Sequence, residues 1–460
     1  MSASVQPARR IAFEVLSAVD TGDAYANLLL PVRLQRAKLS PADAALATEL
    51  TYGTLRLRGF YDRVIELTAG RPIEAIDEPV RQALRLGAHQ LLSMRVASHA
   101  AVNESVELAR EHASRSASGF TNGVLRTVAR STLEEWRGAM MAEEGDPDER
   151  LALRFAHPAW IVRAFRQALA AEGRADELEA LLAADNDAPL VNLVALPGLV
   201  DAPSTSALGE PDGYSPVGYR LAGGDPARIM DSTGGRVRVQ DEGSQLAALA
   251  LSRARPVGPG ERWLDLCAGP GGKAALLAAE ALASGAAFAA NELVPARAQL
   301  VRSALAAVPG DIEVTETDGT QADRLFPESF DRIMLDAPCT GLGALRRRPE
   351  ARWRKTPKDV GELSALQARL FDAAVGALKP GGILAYVTCS PHVGETIGIV
   401  RGGVERAGGT LVQTDARAVL AGLTRHPLEL AGDGLSAQLW PHRHGTDAMF
   451  ISLFEKLPIA

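Results

Sequence analysis

From about Val237 onward, short apolar runs alternate with longer stretches of helical periodicity. This limits the possible folds more than any other feature of the chain. The runs at 262–267, 286–291, 312–317, 332–335 and 383–388 are predicted as strands, and 273–283, 296–306, 362–378 and 393–406 as helices. Strand, loop and helix in repetition build a parallel sheet covered by helices on both faces. Open sheets of this kind hold ligands beyond the carboxyl ends of their strands. The residues that follow each strand are therefore the candidates for chemistry.

The N-terminal part has a different texture. Residues 1 to about 140 read as helical throughout, with apolar spacing at 9–19, 41–54, 60–67, 80–92, 102–113 and 121–129. Ser40-Pro41 reads as a helix cap followed by a first-turn proline, and Asn103 and Asn122 are expected near helix starts as caps. The acidic stretch 143–149 is a candidate linker. Residues 150–235 mix helices at 159–170 and 175–184 with a strand at 191–196 and many turn residues over 197–235. A length of 460 residues suits such a division: 1–142 all-α, 150–235 a small α+β module, and 236–460 an α/β Rossmann-like domain.

A net charge of −7 means that any contact with nucleic acid must come from local patches. The start of the chain lacks the apolar core of a secretory signal, and no uninterrupted apolar stretch is long enough to span a membrane. The only cysteines, Cys267, Cys339 and Cys389, cannot form a disulfide framework and lack metal-site spacing. A cytoplasmic monomeric enzyme with free thiols and no metal is expected.

The ends of the first three strands suggest a ligand. Cys267, Ala268, Gly269, Pro270, Gly271, Gly272 and Lys273 leave a strand and open a helix, where glycines admit close backbone approach and the helix start favours a carboxylate. The second strand ends at Glu292, which can accept from ribose hydroxyls, and the third at Asp318, which can accept from an adenine amino group. A carboxylate, a ribose and an adenine met in that order describe S-adenosylmethionine. The loop is neither GxxxxGK[ST] nor a clean GxGxxG, so phosphate or dinucleotide binding is not favoured.

The next two strands end in thiols: Asp336-Ala337-Pro338-Cys339 after one and Thr388-Cys389-Ser390 after the other. Carbon 5 of a pyrimidine is a poor nucleophile. A thiolate that adds at carbon 6 makes the ring enamine-like, so that carbon 5 can attack a methyl sulfonium. An acid near ring nitrogen 3 and a base for the carbon 5 proton complete the chemistry, and Asp336, Cys339 and Cys389 can supply these roles. Cys267 reads as part of the cofactor loop. Beyond the PCTG turn, Arg346, Arg347, Arg348, Arg352, Arg354, Lys355 and Lys358 stand around Trp353 with the single acid Glu350. Cations with an aromatic among them suit phosphates and bases, which marks Arg346, Arg347, Arg348, Arg352 and Lys355 as RNA-binding candidates.

Two resemblances follow from these motifs. ALATELTYGTLRLRGFYDRVIE and RLGAHQLLSMRVASHAAVNESVELA resemble the NusB-like helical domain, which implies RNA binding by the N-terminal part. DLCAGPGGK, DAPCTGLG, YVTCSPHVGET and LWPHRHGTDAMF resemble the Sun/RsmB-type RNA cytosine-5 methyltransferases over nearly the whole chain. That resemblance implies S-adenosylmethionine-dependent methylation of small-subunit ribosomal RNA, at the position-967 cytosine of 16S rRNA. It makes Cys389 the nucleophile and Cys339 the thiol that assists product release. Asp336 would face the cytosine, and Cys267 to Lys273 with Glu292, Asp318 and Asp336 would hold the cofactor. Gly269 stands where the family usually has alanine, Glu292 where aspartate is commoner, and Ala448-Met449 where Gly-Phe is usual after Asp447.

Two other readings compete. An RNA-binding assembly factor with a dead methyltransferase fold would have no need of Asp336, Cys339 and Cys389. Methylation of an exocyclic amine would call for a DPPY-like or NPPY-like turn where this chain has DAPC.

Overall fold

The N-terminal periodicity is realised as helices, and the alternating region as a twisted sheet between two helical layers. The computed structural model describes residues 5–22, 24–201, 204–205, 208–221 and 223–458. The first four residues of the N-terminal stretch, and positions 202–203, 206–207 and 222 of the turn-rich region, lie outside the described residues. The chain divides into two compact units. The first comprises Met1–Arg163 with Leu182–Asp187 and Leu345–Arg354; the second comprises the remainder.

In the first unit, Pro7–Thr21, Pro41–Arg56, Arg58–Ala69, Glu78–Ser93, Ser98–His112 and Arg115–Val128 occupy the six expected helical stretches. Ser40 accepts from the Asp43 amide and Pro41 opens the helix, as its sequence requires. Asn103 and Asn122 correct an expectation: both lie inside their helices. The residues that precede those helices are Ala97, which caps nothing, and Ser114, which accepts from the Ala117 amide. Two further helices were not anticipated, Ala26–Ala37, which contains Pro31, and Leu133–Glu143. The stretch expected as a linker contributes Asp146, whose side chain caps the helix Pro147–Phe155. Leu16, Leu50, Leu86 and Leu108 lie in one apolar cluster, and Phe60, Ile65, Leu84 and Leu125 in another.

Leu345–Arg354 is held in this unit by its cations. Arg352 is completely buried. Its guanidinium donates to the carbonyls of Arg56 (3.0 Å), Ala156 (3.3 Å) and Asp185 (2.5 Å) and to Asn186 Oδ1 (2.6 Å). Burial lowers its pKa to about 10, so it stays cationic. Arg354 donates to the carbonyls of Val19, Gly22 and Ala24, and the Trp353 indole to that of Leu55. Arg352→Ala should strand these buried acceptors and lower unfolding stability by about 3 kcal/mol or more. Arg352→Lys should not restore it, because an ammonium cannot reach four acceptors in the guanidinium plane. Chemical denaturation of the three proteins is the check.

The second unit holds two sheets. Strands β1 (Asn192–Ala195), β2 (Gly209–Pro211), β3 (Gly218–Leu221) and β4 (Val237–Val239) form a small antiparallel sheet in the order β2-β3-β1-β4. The large sheet contains β5 (Arg262–Asp265), β6 (Ala287–Asn291), β7 (Glu313–Thr315), β8 (Phe330–Asp336) and β9 (Leu378–Thr388). It also contains β10 (Leu411–Thr414), β11 (Ala437–Gln438) and β12 (Phe450–Lys456). Its order is β10-β12-β9-β8-β5-β6-β7, with β11 beside β12.

Strands β5 to β9 are parallel, as expected, but β12 runs antiparallel to β9, and β10 and β11 run antiparallel to β12. The sheet is therefore mixed. β12 is buried at six of its seven positions, so it shows no inside–outside alternation to mark it in sequence. Apolar side chains of the helices Glu242–Ser252 and Gly272–Ser284 cover one face, and those of Pro357–Ala377 and Ile397–Arg406 the other. From β5 the chain winds outward through β6 to β7 and returns to β8 on the other side. The strand order thus reverses between β5 and β8, where a crevice opens at the carboxyl ends.

Candidate active site

Five strand ends, those of β5 to β9, meet around that crevice. Asn291 at the end of β6 sews three of them together. Its amide donates to the carbonyls of Leu266 (3.1 Å) and Thr317 (3.0 Å), and its oxygen accepts from the Thr317 amide and hydroxyl. This fixes where Glu292 and Asp318 begin. Glu292 is nearly buried and accepts from the amides of Gly269 (3.1 Å) and Val294 (3.0 Å). Asp318 accepts from the Thr320 amide and hydroxyl, bonds that hold its carboxyl below the usual carboxylate range. Ala268 and Gly269 are buried, Pro270 is exposed, and Gly271 precedes the helix Gly272–Ser284.

Lys273, read from the sequence as cofactor-binding, turns instead to Asp336, with Nζ 2.9 Å from Oδ2. Burial alone would lower this lysine, but the charge of Asp336 and its hydrogen bond outweigh it and hold the ammonium above its ordinary value. The Cys267 thiol is pushed up by burial and by the neighbouring acids, which makes it an unreactive member of the loop.

The two thiols come together. Cys339 Sγ and Cys389 Sγ are 3.4 Å apart. Interaction with Cys389, then burial, raises Cys339 well above the ordinary thiol value, so Cys339 keeps its proton and can donate to Cys389. Their turns are fastened by Glu395, which is wholly buried. Its carboxylate accepts from the Thr340 amide (2.8 Å) and hydroxyl (2.5 Å), from Ser390 Oγ (2.6 Å) and from Gln367 Nε2 (3.3 Å). Tyr386 donates to the Glu395 carbonyl at 2.7 Å. Gly343 closes the arrangement: its amide donates to the Cys389 carbonyl, and its carbonyl accepts from the Ala448 amide, both at 2.8 Å. A Cβ on Gly343 would lie 2.1 Å from the Ala448 oxygen, so no other residue fits there. The C-terminal loop is thus gripped through its backbone, which is indifferent to the side chains of Ala448 and Met449.

Sequence reasoning assigned no role to Asp265, Asn291, Arg297 or Glu395. Asp265 ends β5 with no solvent exposure, and among the described residues its one hydrogen-bonding influence is the Cys267 amide, which falls short of full hydrogen-bonding geometry. Burial, joined by the charge of Asp336, pushes it up to about 8, against the pull of Lys273 and the Cys267 amide. The sequence signal for Asp265 and Glu395 was their closeness to the two motifs, since each lies within a few residues of a loop that carries a site. Two residues of the basic segment need correction. Arg352 is spent on backbone acceptors and cannot face a phosphate, and Arg346 is also buried. Arg348 is exposed, and Arg347 and Lys355 are half-buried. Among the described residues no cluster of His, Cys, Asp and Glu is arranged to hold a metal. No helix among them is long and apolar enough to cross a membrane.

A sheet of this order, with a glycine-rich loop after β5, acids after β6 and β7 and a thiol pair after β8 and β9, defines a Rossmann-like methyltransferase. Family models agree: one described as 16S rRNA methyltransferase RsmB/F matches residues 255–455, and one described as the NusB family matches 6–130. A Mycobacterium tuberculosis protein described as a methyltransferase is 47% identical over 98% of this chain and 97% of its own length. Ribosomal RNA small subunit methyltransferase B of Enterobacter is 31% identical over 90% of this chain and 94% of its own. The crystal structure of PH0851 shares the fold, with a TM-score of 0.80 at 21% identity, over 99% of this chain and 100% of that one.

The chain belongs to the RsmB/F family of 16S rRNA methyltransferases, with an all-helical NusB-like region at its N-terminus. Membership implies an RNA substrate and S-adenosylmethionine as methyl donor. The donor set suits that molecule: amides at a helix start, two fixed carboxylates on successive strands, and at the first strand end a buried carboxyl that makes no full hydrogen bond among the described residues.

Two stability measurements test the wiring. Below about pH 4, folded and unfolded chains both protonate Asp265, whose ordinary value is 3.8. From there to about pH 8 only the unfolded chain releases the proton. The native state therefore loses about 1.4 kcal/mol per pH unit across this window. Asp265→Asn should remove that slope, melting above the parent at pH 8 and level with it near pH 4 in thermal scans. Glu395→Ala should lower the unfolding free energy by about 3 kcal/mol or more. Glu395→Gln should recover only part of this, because its amide turns a donor toward donors; denaturant titration reads both.

Proposed function

We propose that this protein transfers a methyl group to carbon 5 of a cytosine in 16S rRNA, by family likeness the position-967 cytosine, through a covalent bond from Cys389 to carbon 6. The observation that carries the reading is the 3.4 Å approach of the two thiols beside the Asp336–Lys273 pair.

The Cys389 thiolate adds to carbon 6, and ring electrons move to carbon 5. Asp336, with Oδ2 committed to Lys273, offers Oδ1 to the pyrimidine edge. There it stabilises a proton that ring nitrogen 3 takes up from water as that charge develops and gives back when the ring becomes aromatic again. S-adenosylmethionine, when bound, supplies an electrophilic methyl on a sulfonium. Cys339 assists the last stage: once carbon 5 has gained its methyl and lost its proton to a base, the bond from carbon 6 to Cys389 breaks and the aromatic ring returns. Cys339 holds a proton within reach of the departing sulfur.

In this reading residues 1–142 contribute RNA binding, 150–235 link, and 236–460 carry catalysis. Cys267 to Lys273, Glu292 and Asp318 hold the cofactor, with Lys273 acting through Asp336. Arg347, Arg348 and Lys355 keep the phosphate-facing role, from which the buried Arg346 and Arg352 are withdrawn. A ribosomal RNA substrate places the work in the cytoplasm.

Cys389→Ala should abolish turnover, by at least about a thousandfold. Cys339→Ala should instead accumulate a protein–RNA adduct that survives denaturing electrophoresis. Incubation with unmodified 16S rRNA and labelled S-adenosylmethionine reads both, and clean product release by Cys339→Ala would remove the role given to that thiol.

A further inference from the structure

The peptide of Gly269 is held from both sides by an ion pair. Its N–H donates to Glu292 Oε2 at 3.1 Å, and its carbonyl accepts from Arg297 Nη2 at 2.7 Å. Glu292 and Arg297 lie 3.4 Å apart, and Glu292 Oε1 accepts from the Val294 amide at 3.0 Å. The space this requires exists only because residue 269 has no side chain. A Cβ there would lie 2.2 Å from Glu292 Oε2, 2.9 Å from Arg297 Nε and 3.0 Å from Nη2. An alanine would therefore displace the carboxylate from the amide that fixes it. The Glu292 side chain is only 5% exposed and has little room to give, whereas Arg297 is 49% exposed and can move.

We infer that Gly269, Glu292 and Arg297 form one positioning unit, in which the bare Gly269 peptide and the Arg297 guanidinium set the Glu292 carboxylate for the cofactor's ribose. The inference rests on the reading that Glu292 meets that ribose. A carboxylate has about four acceptor directions. Backbone amides take one on each oxygen and the Arg297 guanidinium stands against Oε2, which leaves the open direction on Oε1 for a ribose hydroxyl. The group is oriented before any ligand arrives, so little ordering is left to be done on binding. Arg297 is a positioning residue: it acts through the loop carbonyl and the acid, and its cost when lost falls on cofactor binding rather than on methyl transfer.

The test uses the full chain, with S-adenosylhomocysteine titrated by calorimetry and cofactor KM and kcat measured on 16S rRNA. Gly269→Ala should weaken binding about ten- to a hundredfold with kcat little changed. Glu292→Asp, whose oxygens withdraw by one methylene, should cost less. The double variant Gly269→Ala/Glu292→Asp should bind no worse than Glu292→Asp alone, because the shorter acid leaves room for the methyl. Unchanged binding by Gly269→Ala, or losses that simply multiply in the double variant, would overturn the coupling. If Gly269→Ala does not fold, Arg297→Ala decides: a several-fold rise in cofactor KM at constant kcat supports the unit, and no change refutes it. Undiminished affinity in Glu292→Ala would instead remove the ribose reading itself, a result distinct from loss of the coupling.

Discussion

The thiol pair depends on the carboxylate of Glu395, which lies in the interior and is reached by solvent at no point. A charge in that position is costly unless donors surround it. Here the donors come from two turns 50 residues apart in sequence, Thr340 beside Cys339 and Ser390 beside Cys389, with Gln367 from the helix Pro357–Ala377 as a third support. Parallel pairing of β8 with β9 brings the turns to the same edge, but pairing alone fixes only the backbone. The shared acid sets how the turns face each other, and Gly343 locks the result from the far side by bonding to the Cys389 carbonyl.

Around this pin each ionised acid of the crevice has a cation, Asp336 with Lys273 and Glu292 with Arg297, while burial keeps Asp265 protonated up to about pH 8. Asp265, Asp336 and Glu292 lie close enough to raise the Cys267 thiol together, and Lys273 is the cation that pairs with Asp336. Burial beside these acids resists the ionisation of any thiol without local help. Cys339 is therefore held as a proton donor by its surroundings, while the ion pair keeps Asp336 oriented at the strand end. Gly269 and Glu292 reduce to one contact: the acid occupies the volume that a methyl at 269 would take.

The basic segment shows how a surface pattern can mislead. Seven cations around a tryptophan read as an RNA-facing loop, yet Arg352, Arg354 and Trp353 donate to backbone carbonyls of the helical unit. Guanidinium groups suit this work because their fixed planar donors reach several carbonyls at once. Composition cannot tell an arginine that ends helices in the interior from one that waits for phosphate, since both demand the same donors.

The sequence by itself determined the alternation that makes the sheet, the six periodic helices of the N-terminal region, and the residues at each strand end from Cys267 to Cys389. These follow from local rules: apolar period, turn chemistry, and the tendency of open sheets to carry ligands at their carboxyl edge. Only the tertiary structure decided that Lys273 turns to Asp336, that Arg352 is internal, that β12 runs against β9, and that Glu395, Asp265 and Arg297 belong to the site. Each of these depends on contacts between residues far apart in the chain. A buried charge is indistinguishable from a solvated one until its donors are brought to it by packing.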